Sequence, residues 1–223
     1  ASHFNTRFFV PLSSGYDSGA ICCALNFLNI KYVTVSLGDS ENQAVIDERV
    51  KINCSKSCTS HIELEPISLK EKNKIKKFLL NKIGNVKYDH LDDKRSKSPI
   101  SLHEDTGALG LYLICEEMSK RKFNAMICGT GADEIISDYG FNGHKYAFHS
   151  QFGGLFPDDL SIIFPWKKFY FDSQKSYLKK DEMVSGIFGI EGRYPFLDKD
   201  LIQAFLKLDV NLKNFRYKNC IAS

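Results

Sequence analysis

The strands that this sequence predicts are continuously apolar, and this pattern limits the fold more than any other feature. The segment YVTVSLG (32–38) is β-branched or apolar almost throughout, and RFFVPL (7–12) and NAMICG (124–129) also carry apolar runs. Such strands are typical of parallel sheets, which helices cover on both faces. We therefore predict an α/β fold with a central parallel sheet, helices on both faces and a helical carboxyl-terminal part.

Helical segments separate the predicted strands. The periodicity of apolar residues predicts helices over Ser18–Leu28, Gln43–Ile52 and Leu69–Ile83, and a further helix for which Asp105 is the cap. HIELEPIS (61–68) alternates well enough to be a third strand. Strand and helix thus alternate over the first half of the chain, as crossover connections between parallel strands require.

Two segments interrupt this alternation. Residues 84–99 are charged and turn-rich, which predicts an exposed loop. Residues 140–174 are rich in glycine and aromatic residues. They either pack their aromatics inward or cover the carboxyl edge of the sheet, where open α/β sheets bind ligands, and the two interpretations are compatible. We predict one domain over 1–223, with a core over about 7–139 and a helical, aromatic-rich part over about 140–223.

Charge and cysteine usage narrow the class of protein. A formal net charge of +3 is too small to indicate a nucleic-acid or membrane partner. The seven cysteines are odd in number and lack the spacing of a disulfide framework, which favours reduced thiols in a cytoplasmic protein. We predict a cytoplasmic enzyme without a membrane partner.

The turn SSGYDS (13–18) connects the first predicted strand to a helix. Its free backbone amides and the helix dipole suit a phosphate group. The lysine of the common P-loop is absent, so neutralisation would fall to Mg²⁺ held by Asp17, since this ion prefers oxygen ligands. A helix-capping turn that binds no ligand is the alternative.

A second turn of this kind, CGTGADE (128–134), follows another apolar strand and begins another helix. Two strand ends that carry glycine and aspartate can meet across one crevice. Asp17 and Asp133 could then share one or two Mg²⁺ ions bound to a pyrophosphate group. A third segment, EGRYPFLD (191–198), follows a helix that contains Asp181 and Met183.

These motifs, in the order SSGYDS, SLG, GTGADE and DEMVSGIFGIEGRYPFLD, resemble the synthetase domain of the asparagine synthetase family. That domain is an N-type ATP pyrophosphatase with the usual loop SGGxDS, and the likeness runs from about Phe8 to Phe205. The chain is also similar to β-lactam synthetase and to lasso-peptide cyclases. The resemblance implies an adenine nucleotide alpha-hydrolase-like fold and a Mg²⁺-dependent ligase. Such an enzyme uses ATP to adenylate a carboxylate, transfers the acyl group to an amine, and releases AMP and pyrophosphate.

The resemblance also implies roles for individual residues. The implied ATP-binding residues are Leu12, Ser13, Ser14, Gly15, Tyr16, Asp17, Ser18, Ser36, Leu37, Cys128, Gly129 and Gly131. The implied catalytic residues are Asp17, Asp133, Thr130 and Lys218, of which Asp17 and Asp133 would hold the metal ion. The acyl-substrate pocket would contain Glu134, Glu191 and Arg193. Glu191 and Arg193 could instead form a structural ion pair beneath the site, and Lys218 could be a lysine on a helix surface.

The sequence departs from the family pattern in four places. Ser14 replaces the first glycine of SGGxDS, and Thr130 stands where asparagine synthetases have Glu and β-lactam synthetases Tyr. No glutaminase domain is found, and the lysine-bearing loop of the family would lie after Ser223. We expect a different amine, or a separate glutaminase or carboxyl-terminal subunit, and the chain could be a fragment, a processed subunit or a degenerate member.

Two other functions remain open at this point. A tRNA-modifying ATP pyrophosphatase would use the same adenylation on a nucleobase oxygen, which the small net charge and the EGRYPFLD segment disfavour. A catalytically impaired, nucleotide-binding scaffold subunit of a larger complex would account for Thr130. The retained acidic residues Asp17, Asp133 and Glu134 favour an active enzyme over a scaffold.

Overall fold

The central sheet of the protein is all-parallel, as its apolar strands predict. The computed structural model describes residues 7–38, 41–91, 97–145 and 150–215. Its strands are β1 (Phe8–Pro11), β2 (Tyr32–Leu37), β3 (Cys58–Leu64), β4 (Lys87–Leu91), β5 (Lys97–Ser101), β6 (Ala125–Ile127), β7 (Gly140–Phe141), β8 (His144–Lys145) and β9 (Glu191–Arg193). Five of them form the central sheet in the order β3-β2-β1-β6-β9, and two antiparallel hairpins, β4-β5 and β7-β8, lie outside it. The predicted α/β fold is confirmed.

Helices connect these strands and form the carboxyl-terminal part. They are α1 (Tyr16–Phe27), α2 (Gln43–Cys54), α3 (Leu69–Ile83), α4 (Thr106–Lys120), α5 (Lys167–Tyr170), α6 (Asp172–Ile187), α7 (Lys199–Lys207) and α8 (Val210–Lys213), with a π-helical turn at Asp133–Ser137. Side-chain caps set several of the helix starts. Ser68 and Glu71 form a capping box that begins α3, and Asp105 accepts from the Gly107 amide at 2.7 Å where α4 begins.

The sheet is apolar on both faces because helices cover both. In β1, Phe9 packs with Ile114 and Met118 of α4. Its neighbour Val10 packs on the opposite side with Ile21 of α1 and Ile46 of α2. Consecutive strand residues point to opposite faces, so a strand covered on both sides reads as a continuous apolar run.

The parallel pairing positions the two glycine- and aspartate-containing turns. Phe9 of β1 lies opposite Val33 of β2 on one side and Met126 of β6 on the other. Because β1 and β6 are parallel neighbours, their carboxyl ends lie at the same edge of the sheet. The turns 13–18 and 128–134 therefore begin side by side.

Two segments differ from the sequence prediction. The described part of 84–99 forms the β4-β5 hairpin, so the predicted exposed loop is wrong there. Tyr88 of this hairpin is buried, and its hydroxyl donates to Asp105 Oδ2 at 2.5 Å. Residues 191–193 form the fifth strand of the sheet, which no pattern predicted.

The aromatic residues of 140–174 pack inward. Trp166 makes edge-to-face contacts with Phe152, Phe156 and Phe169, at centroid distances of 4.9–5.9 Å. Its indole nitrogen donates to the Glu134 carbonyl at 2.6 Å, which fixes this cluster against the turn that follows β6. Among the described helices, none is long and apolar enough to cross a membrane.

Candidate functional site

The turn after β1 is held together by its own hydroxyl groups. Leu12 is buried, and its amide donates to the Val35 carbonyl at 2.8 Å, which continues the pairing of β1 with β2. The buried Ser18 hydroxyl accepts from the Ser13 amide at 3.0 Å and lies 2.9 Å from Ser13 Oγ. Ser13 Oγ in turn accepts from the Gly15 amide at 3.2 Å. These bonds give the turn a defined shape before any ligand binds.

The outward donors of this turn contact a carboxylate. The amide and the hydroxyl of Ser14 both donate to Glu41 Oε2, at 2.5 Å and 2.6 Å. A carboxylate and a phosphate present similar oxyanions to such donors. Ser14 therefore presents two donors to one anion position, while the neighbouring Tyr16 is exposed.

The turn after β6 touches the start of α1. A methyl group built on Gly129 would lie 2.6 Å from Cβ of Asp17, closer than real Cβ atoms approach each other. Only glycine allows the two turns to meet at this distance. Residues more than a hundred positions apart are thus in direct contact, and the junction of the turns 13–18 and 128–134 is the predicted crevice.

Three acidic side chains interact in this crevice. Burial, and then the negative charges of Asp133 and Glu134, raise the pKa of Asp17 to about 7. Burial likewise raises the pKa of Asp133, whose carboxylate accepts from Ser137 Oγ at 3.1 Å. The structure therefore brings the two predicted metal ligands together.

Glu134 has a different environment from the two aspartates. It is buried, and its carboxylate accepts from the Tyr139 hydroxyl and, at 3.1 Å, from the Gly131 amide. Gly131 has a φ of +103°, and a methyl group there would lie 2.3 Å from Leu197 Cδ2. The Glu134 carboxylate thus stabilises the GTGADE turn, and its negative charge contributes to the raised pKa of Asp17.

Thr130 donates a hydrogen bond to Asp181, an aspartate for which we predicted no role. Its hydroxyl donates to Oδ2 of the buried Asp181 at 2.6 Å and lies 3.1 Å from Cys128 Sγ. Lys180 Nζ lies 3.6 Å from the other oxygen of Asp181. The available signal was an acidic residue on α6 at the start of the segment DEMVSGIFGIEGRYPFLD.

Burial and neighbouring charges act in opposite directions on the pKa values of Asp181 and Lys180. Burial raises the pKa of Asp181, although Lys180 and the Thr130 hydroxyl favour its ionised form. Burial opposes the ammonium of Lys180, but the charges of Asp181 and Asp105 outweigh it and raise its pKa. Burial and the charge of Asp181 raise the pKa of the Cys128 thiol to about 11, so this thiol stays protonated at neutral pH.

The remaining predicted residues within the described ranges lie on the neighbouring strands β2 and β9, and the Cys128 amide donates to the Arg193 carbonyl at 2.8 Å, which joins β9 to the start of the second turn. Ser36 is buried and lies 3.2 Å from His61 Nε2. Leu37 packs at the edge of the sheet core. Glu191 and Arg193 are exposed and form an ion pair with each other. Lys218 lies outside the described residues.

A magnesium ion fits the acidic groups as a partly liganded site. Within the described ranges no three His, Cys, Asp or Glu side chains are grouped so that they could hold a metal ion alone. Mg²⁺ is usually bound through one or two carboxylates together with water and substrate phosphates. Asp17 and Asp133 could supply these two carboxylates. The charge of Asp133 raises the pKa of Asp17, and a bound cation would offset this repulsion.

Comparison with known proteins adds no relative. No model of a protein family matches the chain, and no curated protein matches it.

Proposed function

We propose that this protein is an ATP-dependent ligase that adenylates a carboxylate and transfers the acyl group to an amine. The observation that carries the proposal is the contact of Asp17 with Gly129 at the carboxyl edge of a parallel sheet. This contact places Asp17 close enough to Asp133 for the negative charge of Asp133 to raise the pKa of Asp17. Ligands of open α/β sheets bind at this edge. The resemblance to the synthetase domain of asparagine synthetases supports the same reaction.

The chain's own groups have separate tasks in this proposal. Ser14 would bind a phosphate oxygen with the two donors that now bind Glu41. Asp17 and Asp133 would hold Mg²⁺, which offsets the charge of the phosphates and makes pyrophosphate a better leaving group. Thr130, held by Asp181, lies beside this crevice and would orient the acyl substrate.

The reaction consists of two displacements. An oxygen of the substrate carboxylate bonds to the α-phosphorus of ATP while the bond to the pyrophosphate oxygen breaks. The amine nitrogen then bonds to the acyl carbon, the bond to AMP breaks, and the nitrogen gives up a proton. Asp181, the carboxylate that Thr130 contacts, is the proposed acceptor of that proton.

Binding and turnover are tested separately. Calorimetry with Mg·ATP is expected to show binding by the native protein and a loss of about a hundredfold or more in Asp17→Asn, since a buried ligand to the metal is removed. Asp158→Asn, an exposed aspartate of the 140–174 segment, is the matched control and keeps the native affinity. Equal affinity in native protein and Asp17→Asn contradicts the assigned metal site.

Turnover is followed as pyrophosphate release with Mg·ATP and a panel of carboxylates, with and without amines. Release that depends on one carboxylate supports the ligase. ATP binding without release supports the scaffold subunit. The proposal includes a cytoplasmic location, which the free thiols of the described cysteines support. These cysteines are Cys22, Cys23, Cys54, Cys58, Cys115 and Cys128.

A further inference from the structure

We propose that Arg49 is the positioning residue of the anion-binding turn 13–18: it directs the turn's amides toward the ligand and supplies a fixed positive charge beneath it. Arg49 lies on α2, well away from the turn in sequence, and neither its residue type nor its spacing marked it. The inference rests on the proposed function in one respect, that the ligand of this turn carries phosphate.

The guanidinium group binds two carbonyls of the turn. Arg49 Nη1 donates to the Ser13 carbonyl and to the Gly15 carbonyl, at 2.6 Å in each case. Hydrogen bonds from a charged donor are shorter and stronger than neutral ones. Both carbonyls are therefore held facing α2.

Fixing a carbonyl also fixes the amide of the next residue. The Ser13 carbonyl and the Ser14 N–H belong to one planar peptide unit, and in a trans peptide they point in opposite directions. Phe164-Pro165 is the cis bond found among the described residues, so this unit is trans. When Arg49 holds the Ser13 carbonyl, the Ser14 amide must face away from α2, and the Gly15 carbonyl fixes the Tyr16 amide in the same manner.

The Glu41 carboxylate shows what the oriented amide attracts. It binds the amide and the hydroxyl of Ser14, on the side of the peptide opposite to Arg49. One oxyanion is thus bound at the position that the guanidinium creates. This observation is independent of the Arg49 contacts.

The helix that follows the turn leaves room for the guanidinium. A methyl group on Gly19 would lie 3.0 Å from Cζ of Arg49 and 3.1 Å from Nη2. Glycine in a helix interior costs about 0.5–1 kcal/mol relative to alanine, so its presence in α1 calls for a local reason. The reason is the guanidinium packed against its α-carbon.

The charge of Arg49 complements its geometry. The turn has no lysine of the P-loop kind, and the guanidinium group supplies a positive charge in its place. It lies one peptide unit from the bound oxyanion. It therefore attracts a polyanion without competing for the oxygens that Mg²⁺ and Ser14 bind.

The experiment measures three ligands on the full chain by calorimetry: Mg²⁺ with inorganic pyrophosphate, Mg·ATP, and adenosine, which carries no phosphate. Arg49→Met is expected to weaken pyrophosphate and ATP binding about tenfold or more, as for the loss of a charged hydrogen-bond pair. Adenosine affinity is expected to stay within about twofold, because adenosine has no phosphate group to contact the turn. The same fold-change in all three ligands would instead indicate general damage to the protein. Arg121→Met is the matched control, since Arg121 pairs with Glu117 on the exposed surface of α4, and it keeps all three affinities.

Two further variants separate position from charge. Gly19→Ala keeps the guanidinium in the protein but shifts it by a few tenths of an ångström, and alanine favours the helix, so pyrophosphate binding is expected to weaken by less than in Arg49→Met and without a lower melting temperature. Arg49→Lys keeps the charge and is expected to recover part of the affinity that Arg49→Met loses. Recovery of this kind is not expected of a residue that acts on stability alone.

The possible outcomes are distinct. If the native protein binds pyrophosphate and ATP while Arg49→Met and Gly19→Ala bind them equally well, the role of Arg49 is wrong and the proposed function stands. If the native protein binds neither, the proposed function fails and the inference fails with it. If Arg49→Met does not fold, Gly19→Ala decides the question by the same measurement.

Discussion

Two regions of this protein hold acidic side chains partly or fully out of solvent, and they differ in whether a cation of the chain pairs with them. In the aromatic-rich region, Asp138 is completely buried beside the equally buried Lys168, whose Nζ lies 2.7 Å from one of its oxygens. The other oxygen accepts from Ser150 Oγ at 2.9 Å and from the amides of Gln151 and Phe152 at 2.7 Å and 2.8 Å. Every charge of this cluster is compensated within the chain.

The crevice between the two turns has the opposite character. Asp17, Asp133 and Glu134 act on one another as like charges, and no lysine or arginine forms an ion pair with them within the described ranges. Natural proteins leave such charges uncompensated chiefly where a ligand supplies the balance. The comparison teaches that the fully buried Asp138 is paired with a cation of the chain, whereas the half-buried aspartates of the crevice lack such a partner among the described residues.

The largest expected effect comes from breaking the compensated cluster. Lys168→Met leaves Asp138 buried without its cation, and we expect the free energy of unfolding to fall by about 3–5 kcal/mol. Urea unfolding measures this loss. Lys120→Met, which removes an exposed partner of Glu116, is the control and costs about 0–1 kcal/mol. A loss in Lys168→Met no larger than in the control would mean that the two regions do not differ as described.

The next largest expected effect comes from the contact between Gly129 and Asp17. Gly129→Ala places a methyl group against Cβ of Asp17, with the Asp17 carbonyl carbon and the Ser18 amide also within 3.5 Å. Backbone atoms cannot yield cheaply, so we expect a loss of about 1–3 kcal/mol in unfolding free energy. Gly186→Ala, with no atom within 4 Å of the new methyl group, is the matched control and is neutral or stabilising. Equal stability of the two variants would contradict the close approach.

Removing the internal oxyanion sharpens the comparison further. Glu41→Ala frees both donors of Ser14, so we expect the affinity for magnesium pyrophosphate to rise about three- to tenfold, because a competing state is removed. Glu48→Ala on α2, the helix that follows Glu41, removes a surface partner of Lys51 and leaves the affinity unchanged. A fall in affinity in Glu41→Ala would mean that Glu41 belongs to the ligand site and does not compete with the ligand.

The last expected effect is on the stability of Asp17→Asn, which removes the cost of ionising this carboxyl group in the folded state. The pKa of Asp17 is raised to about 7 from 3.8, so the folded state disfavours its ionised form. Stability is therefore lost as pH rises from about 4 to about 7, and an amide, which does not ionise, escapes this loss. We expect the melting temperature of Asp17→Asn above pH 7, without metal, to equal or exceed that of the native protein. A lower value would indicate that Asp17 is structural, as Asp138 is.

Much of the fold was predictable because its signals are local. The apolar strands β1 and β2 and the capped helix α3, predicted over Leu69–Ile83 and found there, are set by residues within a few positions of one another. β9 was not predictable, since Glu191–Arg193 is polar at both ends with glycine between. Its conformation comes from pairing with β6, in which Met126 lies opposite Gly192.

The same distinction applies to the site. The turns with Asp17 and Asp133 could be recognised in the sequence because glycine, serine and aspartate at a strand end have a local meaning. Asp181, Glu41 and Arg49 carried no such meaning. Each acts on a turn from another element: Asp181 through Thr130, Glu41 through Ser14, and Arg49 through the carbonyls of Ser13 and Gly15.

The sequence by itself determined the class of fold and the two glycine- and aspartate-containing turns, because periodicity and turn chemistry depend on neighbouring residues. Only the tertiary structure decided which charges face one another. The partner of a buried charge comes from whichever element packs against it, and that choice depends on strand order and crossover. The Asp17 and Asp138 carboxylates are the same chemical group in the sequence, and the residues that surround them in space make one structural and the other a candidate for binding.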